Sequence, residues 1–286
     1  MAGQLYLCAT PIGNLEDITL RVLDTLKGVD LIAAEDTRHS IKLLNHFGIK
    51  TKLTSYHEYN KIDKAIYLVR KMEEGLNVAL ITDAGTPGIS DPGEELVRQC
   101  HEAGIMVTSL PGACACITAL TISGKPTRRF CFEAFLPTDK KERENVFRQL
   151  KTETRTIILY EAPHRLKKTL KELYKELGDR SVTLCRELTK RHEDYKIMNL
   201  KDLIQYYEGQ EVRGECVLVI EGKNRMEIQQ EQERSWEAVS IEEHMKRYLD
   251  GGTDKKEAMK LVAKDRGMKK RDVYQYLLNA GKEALE

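Results

Sequence analysis

The chain has 286 residues, of which 41% are hydrophobic and 32% are charged, a composition typical of a folded globular protein with about two domains. Its 46 basic and 45 acidic residues leave a formal net charge of +1, which excludes a global basic field and restricts any nucleic-acid contact to local basic patches. No apolar run reaches the roughly 18 residues of a membrane-spanning helix, and the N-terminus lacks the basic and apolar segments of a signal peptide, so we expect a cytoplasmic protein.

Short apolar runs alternate with amphipathic stretches over the first half of the chain. Buried strands are predicted at residues 5–9, 30–34, 78–81 and 106–110. Helices are predicted at residues 18–28 and 61–74, where apolar residues recur at every third or fourth position. This alternation predicts an α/β domain with a mostly parallel sheet over residues 1–124.

A second α/β domain is predicted over residues 130–222, after a linker at 124–129 that contains Gly and Pro. Its strand candidates are residues 130–135, 156–160, 182–185 and 216–220. Its helix candidates lie near residues 140–151 and 164–177. The pairing of the strands in this half does not follow from the sequence.

The C-terminal part begins with a polar stretch, residues 222–240, which we interpret as a solvated linker. Helical patterns follow at residues 241–249, 254–265 and 270–280. Their spacing predicts a small helix-turn-helix-like domain over residues 241–286. That domain carries 11 basic and 9 acidic residues, and its positive charge is concentrated at Lys269, Lys270 and Arg271. This charge suits contact with nucleic-acid phosphate, and a solvated helix face is the alternative.

Three loops follow predicted strands of the first domain, at residues 9–15, 82–93 and 110–120. Ligands bind outside the carboxyl ends of strands in open α/β sheets, so these loops form a candidate ligand site. The alternatives are plain turns or close helix–sheet packing. Asp83 is placed to meet a cationic or hydroxyl group, whereas the alternative for Asp91 is a helix cap. Neither a GxGxxG nor a P-loop sequence is present, which argues against a dehydrogenase or a kinase.

Two charged clusters, residues 35–39 and 160–165, each place a carboxylate, a cation and an imidazole at the entry to a loop. His164 is a candidate general base because imidazole titrates near neutral pH, and a cap or surface role is the alternative. For the carboxylate–arginine pairs in these clusters, the alternative to a functional role is a structural cap or ion pair. A candidate phosphate-facing patch, or a solvated basic turn, comprises Arg128, Arg129, Lys140, Lys141 and Arg143.

Seven cysteines are scattered along the chain, an odd number without a CxxC pair. This pattern argues against a disulfide framework and against a zinc ribbon. We expect free, buried thiols in a reducing compartment and no metal site.

Six motifs together are typical of a known family. They are LYLCATPIGNLEDIT, AAEDTRHS, ALITDAGTPGISDPG, SLPGACACITAL, ILYEAPHRL and RGECVLVIEG, over about residues 5–222. On these motifs the chain resembles the tetrapyrrole (corrin/porphyrin) methylases, and more closely those that methylate small-subunit ribosomal RNA. The resemblance implies two α/β domains with S-adenosylmethionine bound in the cleft between them, and usually a homodimer. It also implies 2′-O-methylation of a cytidine in 16S ribosomal RNA.

The same resemblance carries the family's cofactor site onto matching positions of this chain. The implied cofactor-binding residues are Pro11, Ile12, Gly13, Asn14, Asp83, Ala84, Gly85, Thr86, Gly112, Ala113, Cys114, Ala115, Cys116, Glu161, Ala162, Cys216 and Val217. Many relatives have serine or threonine near positions 114 and 116. Because cysteine is a weaker hydrogen-bond partner, we expect backbone contacts to be kept there rather than side-chain contacts.

A ribose hydroxyl is weakly acidic, so its methylation calls for a proton acceptor or a stabilising cation. The candidate proton acceptors are Glu161 and His164. The candidate contacts to substrate RNA are Asp36, Arg38, Arg128, Arg129, Arg165, Lys269, Lys270 and Arg271. We expect the partner to be small-subunit ribosomal RNA within the assembled subunit. Two alternatives stay open: a methylase of a cobalamin or siroheme precursor, and a non-enzymatic nucleic-acid-binding regulator.

Overall fold

The structure is a computed structural model that describes residues 2–283, with side chains through residue 279. Residue 1 of the predicted first domain and residues 284–286 of the predicted C-terminal domain lie outside the described residues. The chain divides into two compact units. They comprise residues 1–147 with 156–221, and residues 148–155 with 222–286. Both sheets belong to the first unit, and the finer division into three domains stays a prediction.

The first sheet is fully parallel, as the alternating pattern predicts. Its strands are β1 (Gln4–Cys8), β2 (Leu31–Ala34), β3 (Leu53–Ser55), β4 (Val78–Ile81) and β5 (Met106–Leu110). They lie in the order β3-β2-β4-β1-β5. β3 was not predicted because three residues are too few to show a periodic pattern. The parallel order brings the carboxyl ends of all five strands to one edge, where the predicted ligand loops begin.

Helices cover both faces of this sheet. They are α1 (Leu20–Gly28), α2 (Thr37–His46), α3 (Lys61–Glu73) and α4 (Gly93–Glu102), and a fifth helix, α5 (Ala115–Ile122), follows β5 but packs elsewhere. One face buries Leu68 and Met72 of α3 against β1 and β4, and the other buries Leu26 and Leu44 against β2. Each such buried side chain contributes about 1.5–3 kcal/mol to the free energy of unfolding. These layers hold the sheet edge rigid beneath the loops.

The second sheet is mixed. Its strands are β6 (Phe130–Phe135), β7 (Thr156–Glu161), β8 (Ser181–Arg186), β9 (Asp194–Asn199) and β10 (Cys216–Ile220). They lie in the order β6-β7-β10-β8-β9, and the β6–β7 pair is parallel while the other three pairs are antiparallel. Its helices are α6 (Lys140–Leu150), α7 (Pro163–Leu177) and α8 (Leu200–Tyr206). β9 and α8 were not predicted, because β9 is half-exposed and α8 is only seven residues long.

Helix α5 joins the two sheets within the first unit. It follows β5 of the first sheet, yet Cys116, Ala119 and Leu120 pack against Ile158 and Val217 of the second sheet. The helix is short and mostly apolar, with Cys116, Ala119 and Leu120 on its buried face and Ile117 and Thr121 exposed. This packing places the loop after β5 beside the ends of β7 and β10.

The second unit contains four helices within the described residues. They are α9 (Arg225–Ser235), α10 (Ile241–Asp250), α11 (Lys255–Asp265) and α12 (Lys270–Glu283). The last three confirm the predicted C-terminal helices, and they bury Met245, Val262 and Val273 in a small core. The interpretation of residues 222–240 as a linker was wrong, because α9 occupies most of this stretch. α9 has no buried residue, so its sequence lacks the apolar period that predicts a helix.

Candidate active site

A cavity of about 510 Å³ opens in the first unit where the loops of the first sheet meet the ends of β7 and β10. Its volume lies within the roughly 300–1,000 Å³ of small-molecule sites. Its lining residues come from both sheets: Ile12, Glu35, Thr82, Asp83, Ala84, Gly85, Thr86, Ile89, Ser90, Asp91, Cys114, Ala115, Phe135, Tyr160, Glu161, Ala162, Pro163, Glu215, Cys216 and Val217. The structure therefore brings together predicted cofactor residues that are up to about 200 positions apart in the sequence.

A second cavity of about 420 Å³ adjoins the first. The two cavities share Ile12, Asp83, Ala84 and Glu215. The remaining lining residues of the second cavity are Thr10, Pro11, Gly13, Leu15, His39, Lys42, Leu43, His46 and Lys190. The charged side chains that line the first cavity are all carboxylates, whereas the second is lined by two lysines and two histidines together with the shared Asp83 and Glu215. We name them the acidic cavity and the basic cavity.

Backbone geometry shapes the wall that the first sheet contributes. Thr10 and Gly85 exchange two backbone hydrogen bonds of 2.9 and 3.1 Å, which ties the loop after β1 to the loop after β4. Gly85 has φ +87°, and a Cβ there would lie 3.2 Å from Cγ2 of Ile12, so the turn requires glycine. The Thr86 hydroxyl donates to the Ala113 carbonyl at 3.0 Å and ties in the loop after β5.

Two aspartates hold the loop after β4 in place. The Asp91 carboxylate accepts hydrogen bonds from the backbone N–H groups of Gly88, Ile89 and Gly93 at 2.8–3.2 Å. Its role is therefore to organise the loop and the start of α4, which favours the structural alternative. The Asp83 carboxylate accepts a hydrogen bond from the backbone N–H of Asp36 at 3.1 Å, and Asp83 lines both cavities.

Side chains fix the wall that the second sheet contributes. Glu161 is buried, and its carboxylate accepts hydrogen bonds from the Ala162 N–H at 2.8 Å and from the Thr169 hydroxyl at 2.5 Å. Nε of Arg165 lies 3.3 Å from the same carboxylate, and its guanidinium also donates to the Leu136 carbonyl at 2.8 Å. With these donors around it, Glu161 is placed to hold the β7–α7 turn and the loop after β6.

The other charged residues of the predicted clusters have different positions. His164 is exposed on the first turn of α7 and is not among the lining residues of the acidic cavity. The Arg165 guanidinium contacts Glu161 and the Leu136 carbonyl while 25% of its side chain stays exposed, and its role as an RNA contact stays a prediction. Asp36 caps α2 and pairs with Arg38 at 2.9 Å. Hydrogen bonds from Arg38 lower the pKa of Asp36 to about 2, so this carboxylate stays charged at neutral pH.

The basic residues proposed as a phosphate-facing patch do not form one group. Arg128, Arg129, Lys140 and Lys141 are exposed. Arg143 is buried instead, and its guanidinium donates to Glu172 and to the Thr169 hydroxyl. Including Arg143 in the patch was therefore wrong. In the second unit, Lys269 and Arg271 are exposed and Lys270 is half-buried at the start of α12.

The third loop carries a pair of thiols. Gly112 packs so closely on Ala9 that a Cβ at position 112 would lie 2.5 Å from the Ala9 Cβ. Cys114 is the N-cap residue of α5, and its Sγ lies 3.4 Å from the Sγ of buried Cys116. All seven cysteines are free, and all except half-buried Cys114 are buried, in line with the sequence prediction.

Some residues that line the two cavities were not predicted, and some predicted residues line neither cavity. Glu35 lies in a motif that the sequence highlights, and Glu215 lies in the RGEC motif, so both had a signal. Phe135 had no such signal. It reaches the cavity beside a bulge in β6, where Ala134 has φ +51°, and the sequence does not reveal this bulge. Asn14 lines neither cavity, since its side chain caps a turn and its N–H bonds to Thr189.

The described part of the chain holds no cluster of three or more His, Cys, Asp or Glu residues suited to a metal ion. Between residues 2 and 283, no helix combines the length and apolar character needed to cross a membrane.

Comparisons with known proteins give a consistent family. Residues 4–204 match the family described as Tetrapyrrole (Corrin/Porphyrin) Methylases. A protein named ribosomal RNA small subunit methyltransferase I from Halalkalibacterium halodurans is 48% identical over 95% of this chain and 93% of its own length. Proteins of the same name from Bacillus subtilis and Escherichia coli O157:H7 are each 46% identical, over 95% and 96% of this chain and 93% and 95% of their own lengths.

Solved structures share the fold at low sequence identity. A uroporphyrin-III-C-methyltransferase from Thermus thermophilus aligns with a TM-score of 0.55 at 20% identity, over 77% of this chain and 94% of that chain. A diphthine synthase aligns with a TM-score of 0.61 at 14% identity, over 77% and 90% of the two chains. The predicted fold class is confirmed, and the chain belongs to the tetrapyrrole (corrin/porphyrin) methylases, in the group of the ribosomal RNA small subunit methyltransferase I proteins.

Proposed function

We propose that this protein transfers a methyl group from S-adenosylmethionine to the 2′-hydroxyl of a cytidine in 16S ribosomal RNA. The observation that carries the proposal is the acidic cavity, which adjoins a basic cavity across a shared wall. The ribosomal RNA methyltransferase relatives match over 95% of the chain, whereas the uroporphyrin methylase fold covers 77%. This difference favours RNA over a tetrapyrrole as the methyl acceptor. The strand-end loops that line this cavity suit a bound cofactor, which argues against a purely regulatory protein.

The acidic cavity suits S-adenosylmethionine by its chemistry. Its carboxylates Glu35, Asp83 and Glu215 suit a ligand with cationic groups, and the apolar side chains Ile12 and Val217 suit its adenine ring. The residues that would hold the cofactor are the predicted ones that line this cavity: Ile12, Asp83, Ala84, Gly85, Thr86, Cys114, Ala115, Glu161, Ala162, Cys216 and Val217. When bound, S-adenosylmethionine supplies a methyl group that its sulfonium charge already activates.

The basic cavity suits the ribose and phosphate of the acceptor nucleotide. Lys42 presents a positive charge there, His39 and His46 add imidazole groups, and phosphate oxygens accept hydrogen bonds from such donors. Arg38 lies on the same helix, α2, with 89% of its side chain exposed, and its guanidinium pairs with Asp36 at 2.9 Å. Because Asp83 and Ala84 belong to both cavities, a nucleotide in the basic cavity would lie next to a ligand in the acidic one. Such juxtaposition supplies much of the rate enhancement of a group transfer.

We assign proton acceptance from the ribose hydroxyl to Asp83, rather than to Glu161 or His164. Asp83 lies in the shared wall and accepts a hydrogen bond from the backbone N–H of Asp36, which orients the carboxylate. Glu161 is surrounded by donors from α7, and His164 lies outside the acidic cavity's lining. In this assignment Glu161 positions the turn that carries Ala162 at the cavity wall.

The second unit supplies a separate contact to RNA in this proposal. Lys269, Lys270 and Arg271 stand at the turn before α12 and at its start, where three cations suit neighbouring phosphates. Arg128 and Arg129 are exposed and are proposed as further phosphate contacts. We further propose a cytoplasmic homodimer that acts on the assembled small subunit.

The test is methyl transfer to defined ribosomal particles. Purified protein, S-adenosylmethionine with a labelled methyl group and small subunits from cells that lack this activity are incubated, and the RNA is digested to nucleosides. We expect labelled 2′-O-methylcytidine, and free 16S RNA in a parallel reaction identifies the preferred substrate. The D83N variant should bind the cofactor more weakly and lose transfer even at a saturating cofactor concentration, whereas D24N on α1 should behave as the parent does. Label on another nucleoside, or none with cofactor bound, would overturn the proposed acceptor.

A further inference from the structure

Cys114 and Cys116 form a close pair of thiols at the wall of the acidic cavity. Their Sγ atoms are 3.4 Å apart, and Cys114 lines the cavity directly. A disulfide requires a sulfur–sulfur distance of about 2.05 Å, so the gap of 3.4 Å is within reach of side-chain rotation. Cys114 lies outside the helical turns with φ −146° and ψ 109°, and Cys116 lies in the first turn of α5. Only one residue, Ala115, separates the two cysteines in the sequence.

The surroundings make one of the two thiols acidic. The Cys114 sulfur shares a hydrogen bond with the Cys116 sulfur, in which either thiol can be the donor, and the backbone N–H groups of Ile117 and Cys116 also face Cys114, so the pKa of Cys114 falls to about 6. The same hydrogen bond and burial raise the pKa of Cys116. The pair thus combines a thiolate, the form that attacks peroxides, with a neighbouring thiol that can resolve the product.

Four of the other five cysteines do not share this environment. Burial raises the pKa of Cys8, Cys100, Cys185 and Cys216 to about 12, so these groups stay protonated and unreactive. Peroxide chemistry should therefore be selective for Cys114 among these thiols.

We propose that Cys114 and Cys116 are a reversible oxidation site for peroxides, and that their oxidation closes the acidic cavity to its ligand. The Cys114 sulfur attacks one oxygen of hydrogen peroxide, the O–O bond breaks, and the departing hydroxide takes up a proton to become water. Cys116 sulfur then attacks the resulting sulfenic acid, the S–S bond forms, and the hydroxyl leaves with the thiol proton as water. Two thiols and one peroxide give one disulfide and two waters.

The disulfide changes the cavity wall directly. Drawing the two sulfurs together moves Cys114, which lines the cavity, and Cys116, whose backbone N–H donates to the Tyr160 hydroxyl at 3.1 Å. Tyr160 also lines the cavity, so both of its walls respond. The effect on S-adenosylmethionine rests on the proposed function, whereas disulfide formation does not.

The experiment treats the full-length protein with hydrogen peroxide and measures two properties. Mass spectrometry of the tryptic peptide 99–128 detects the loss of two hydrogens, in a C100A background so that only positions 114 and 116 carry thiols in that peptide. Calorimetry measures the affinity for S-adenosylmethionine before and after oxidation. We expect the intramolecular link to form, the affinity to fall at least tenfold, and dithiothreitol to restore both.

Variants separate the outcomes. In C116S, dimedone should label Cys114 as a sulfenic acid and no link should form, whereas C185A should oxidise as the parent does. Absence of the link in the peptide overturns the inference, and so does a link that leaves the affinity unchanged. If the reduced protein does not bind S-adenosylmethionine, the proposed function fails, while the peptide mass still decides whether the oxidation site exists.

Discussion

The two compact units of this protein carry surfaces that differ in the sign of their charge. The first contains a concave site whose inner cavity is lined by carboxylates from both sheets, and the second contains a short turn with three cations, Lys269, Lys270 and Arg271. A sulfonium cofactor calls for the first kind of surface and a polyanionic RNA for the second. The difference indicates that cofactor binding and RNA affinity are separable, so a change in one unit should leave the function of the other intact.

The strongest effect on this comparison is expected from G112A in the first unit. The added Cβ would lie 2.5 Å from the Ala9 Cβ, so the loop after β5, which leads to Cys114 at the wall of the acidic cavity, must shift. Overpacking of this kind costs about 1–3 kcal/mol, which corresponds to a roughly 5- to 150-fold loss of cofactor affinity when the cost falls on the bound state. Calorimetry with S-adenosylmethionine measures the loss, and RNA binding should not change.

A matched pair of variants isolates the cause. In A9G/G112A the clashing methyl group is removed, and the next atoms of Ala9 lie 3.7 Å or more from the new Cβ, so affinity should recover. In G28A the added Cβ meets no atom within 4 Å, so binding should match the parent. A double variant as weak as G112A would contradict the steric explanation.

E161Q tests whether the second sheet's wall depends on charge. The substitution leaves the Arg165 guanidinium beside a neutral amide in a mostly buried site, and we expect a loss of about 2–4 kcal/mol in the free energy of unfolding. Chemical denaturation measures it, with E144Q on α6 as an exposed control. If stability is unchanged while transfer is abolished and cofactor still binds, Glu161 acts in the chemistry and our positioning role is wrong.

The triple variant K269A/K270A/R271A tests the second unit. Losing three phosphate contacts should weaken RNA binding by roughly tenfold near physiological salt and reduce the slope of log affinity against log salt by about 2–3. Filter binding across a salt series measures both, and cofactor affinity should stay at the parent's value. The charge-matched variant K167A/K171A/K175A, on the exposed face of α7, should bind RNA as the parent does. Equal losses in both would mean that net charge alone controls binding.

The smallest effect concerns the pH stability of the second unit. His244 is fully buried, stacks on Trp236 at 3.5 Å, and accepts a hydrogen bond from Nε of Arg266 at 3.2 Å. Burial and the nearby Arg266 charge lower the pKa of His244 below 6.5. The unfolded chain therefore takes up a proton near pH 6.5 while the folded chain does not, so stability is full above that pH and falls as the pH drops below it.

The expected loss is about 1.4 kcal/mol for each unit by which the pKa is lowered. Unfolding curves at pH 7 and pH 5, followed by the fluorescence of Trp236, the single tryptophan, measure it. H244N should remove this part of the pH dependence, and H192N, at an exposed position, should keep it. An unchanged pH dependence in H244N would show that other groups of the second unit control its acid response.

Much of the first sheet could be predicted because its local signals agree. Val78–Ile81 is a continuous buried run, and the segments 18–28 and 61–74 have clear helical periods. The helix α9 could not be predicted from apolar spacing, because it buries no residue and its polar sequence is equally compatible with a solvated coil. Local pattern reports burial, so an element without burial leaves little trace.

The candidate site divides in the same way. The strand-end loops could be identified from glycines and prolines at the ends of apolar runs, and Asp83 was placed at a strand end by the sequence alone. The roles of Glu161 and Arg143 could not, because each depends on partners from other elements, such as Thr169 on α7. A charged side chain looks the same in sequence whether it faces a ligand or a buried ion pair.

The sequence by itself determined the parallel first sheet, the C-terminal helices, and the resemblance to a methylase family, because periodic burial and ordered motifs are local properties of the chain. Only the tertiary structure decided that α5 packs on the second sheet and that the acidic and basic cavities share Asp83. It also placed the sulfurs of Cys114 and Cys116 at 3.4 Å and turned Arg143 inward. The physical reason is that these features depend on distances between elements, which arise when sheets and helices pack and which no local pattern encodes.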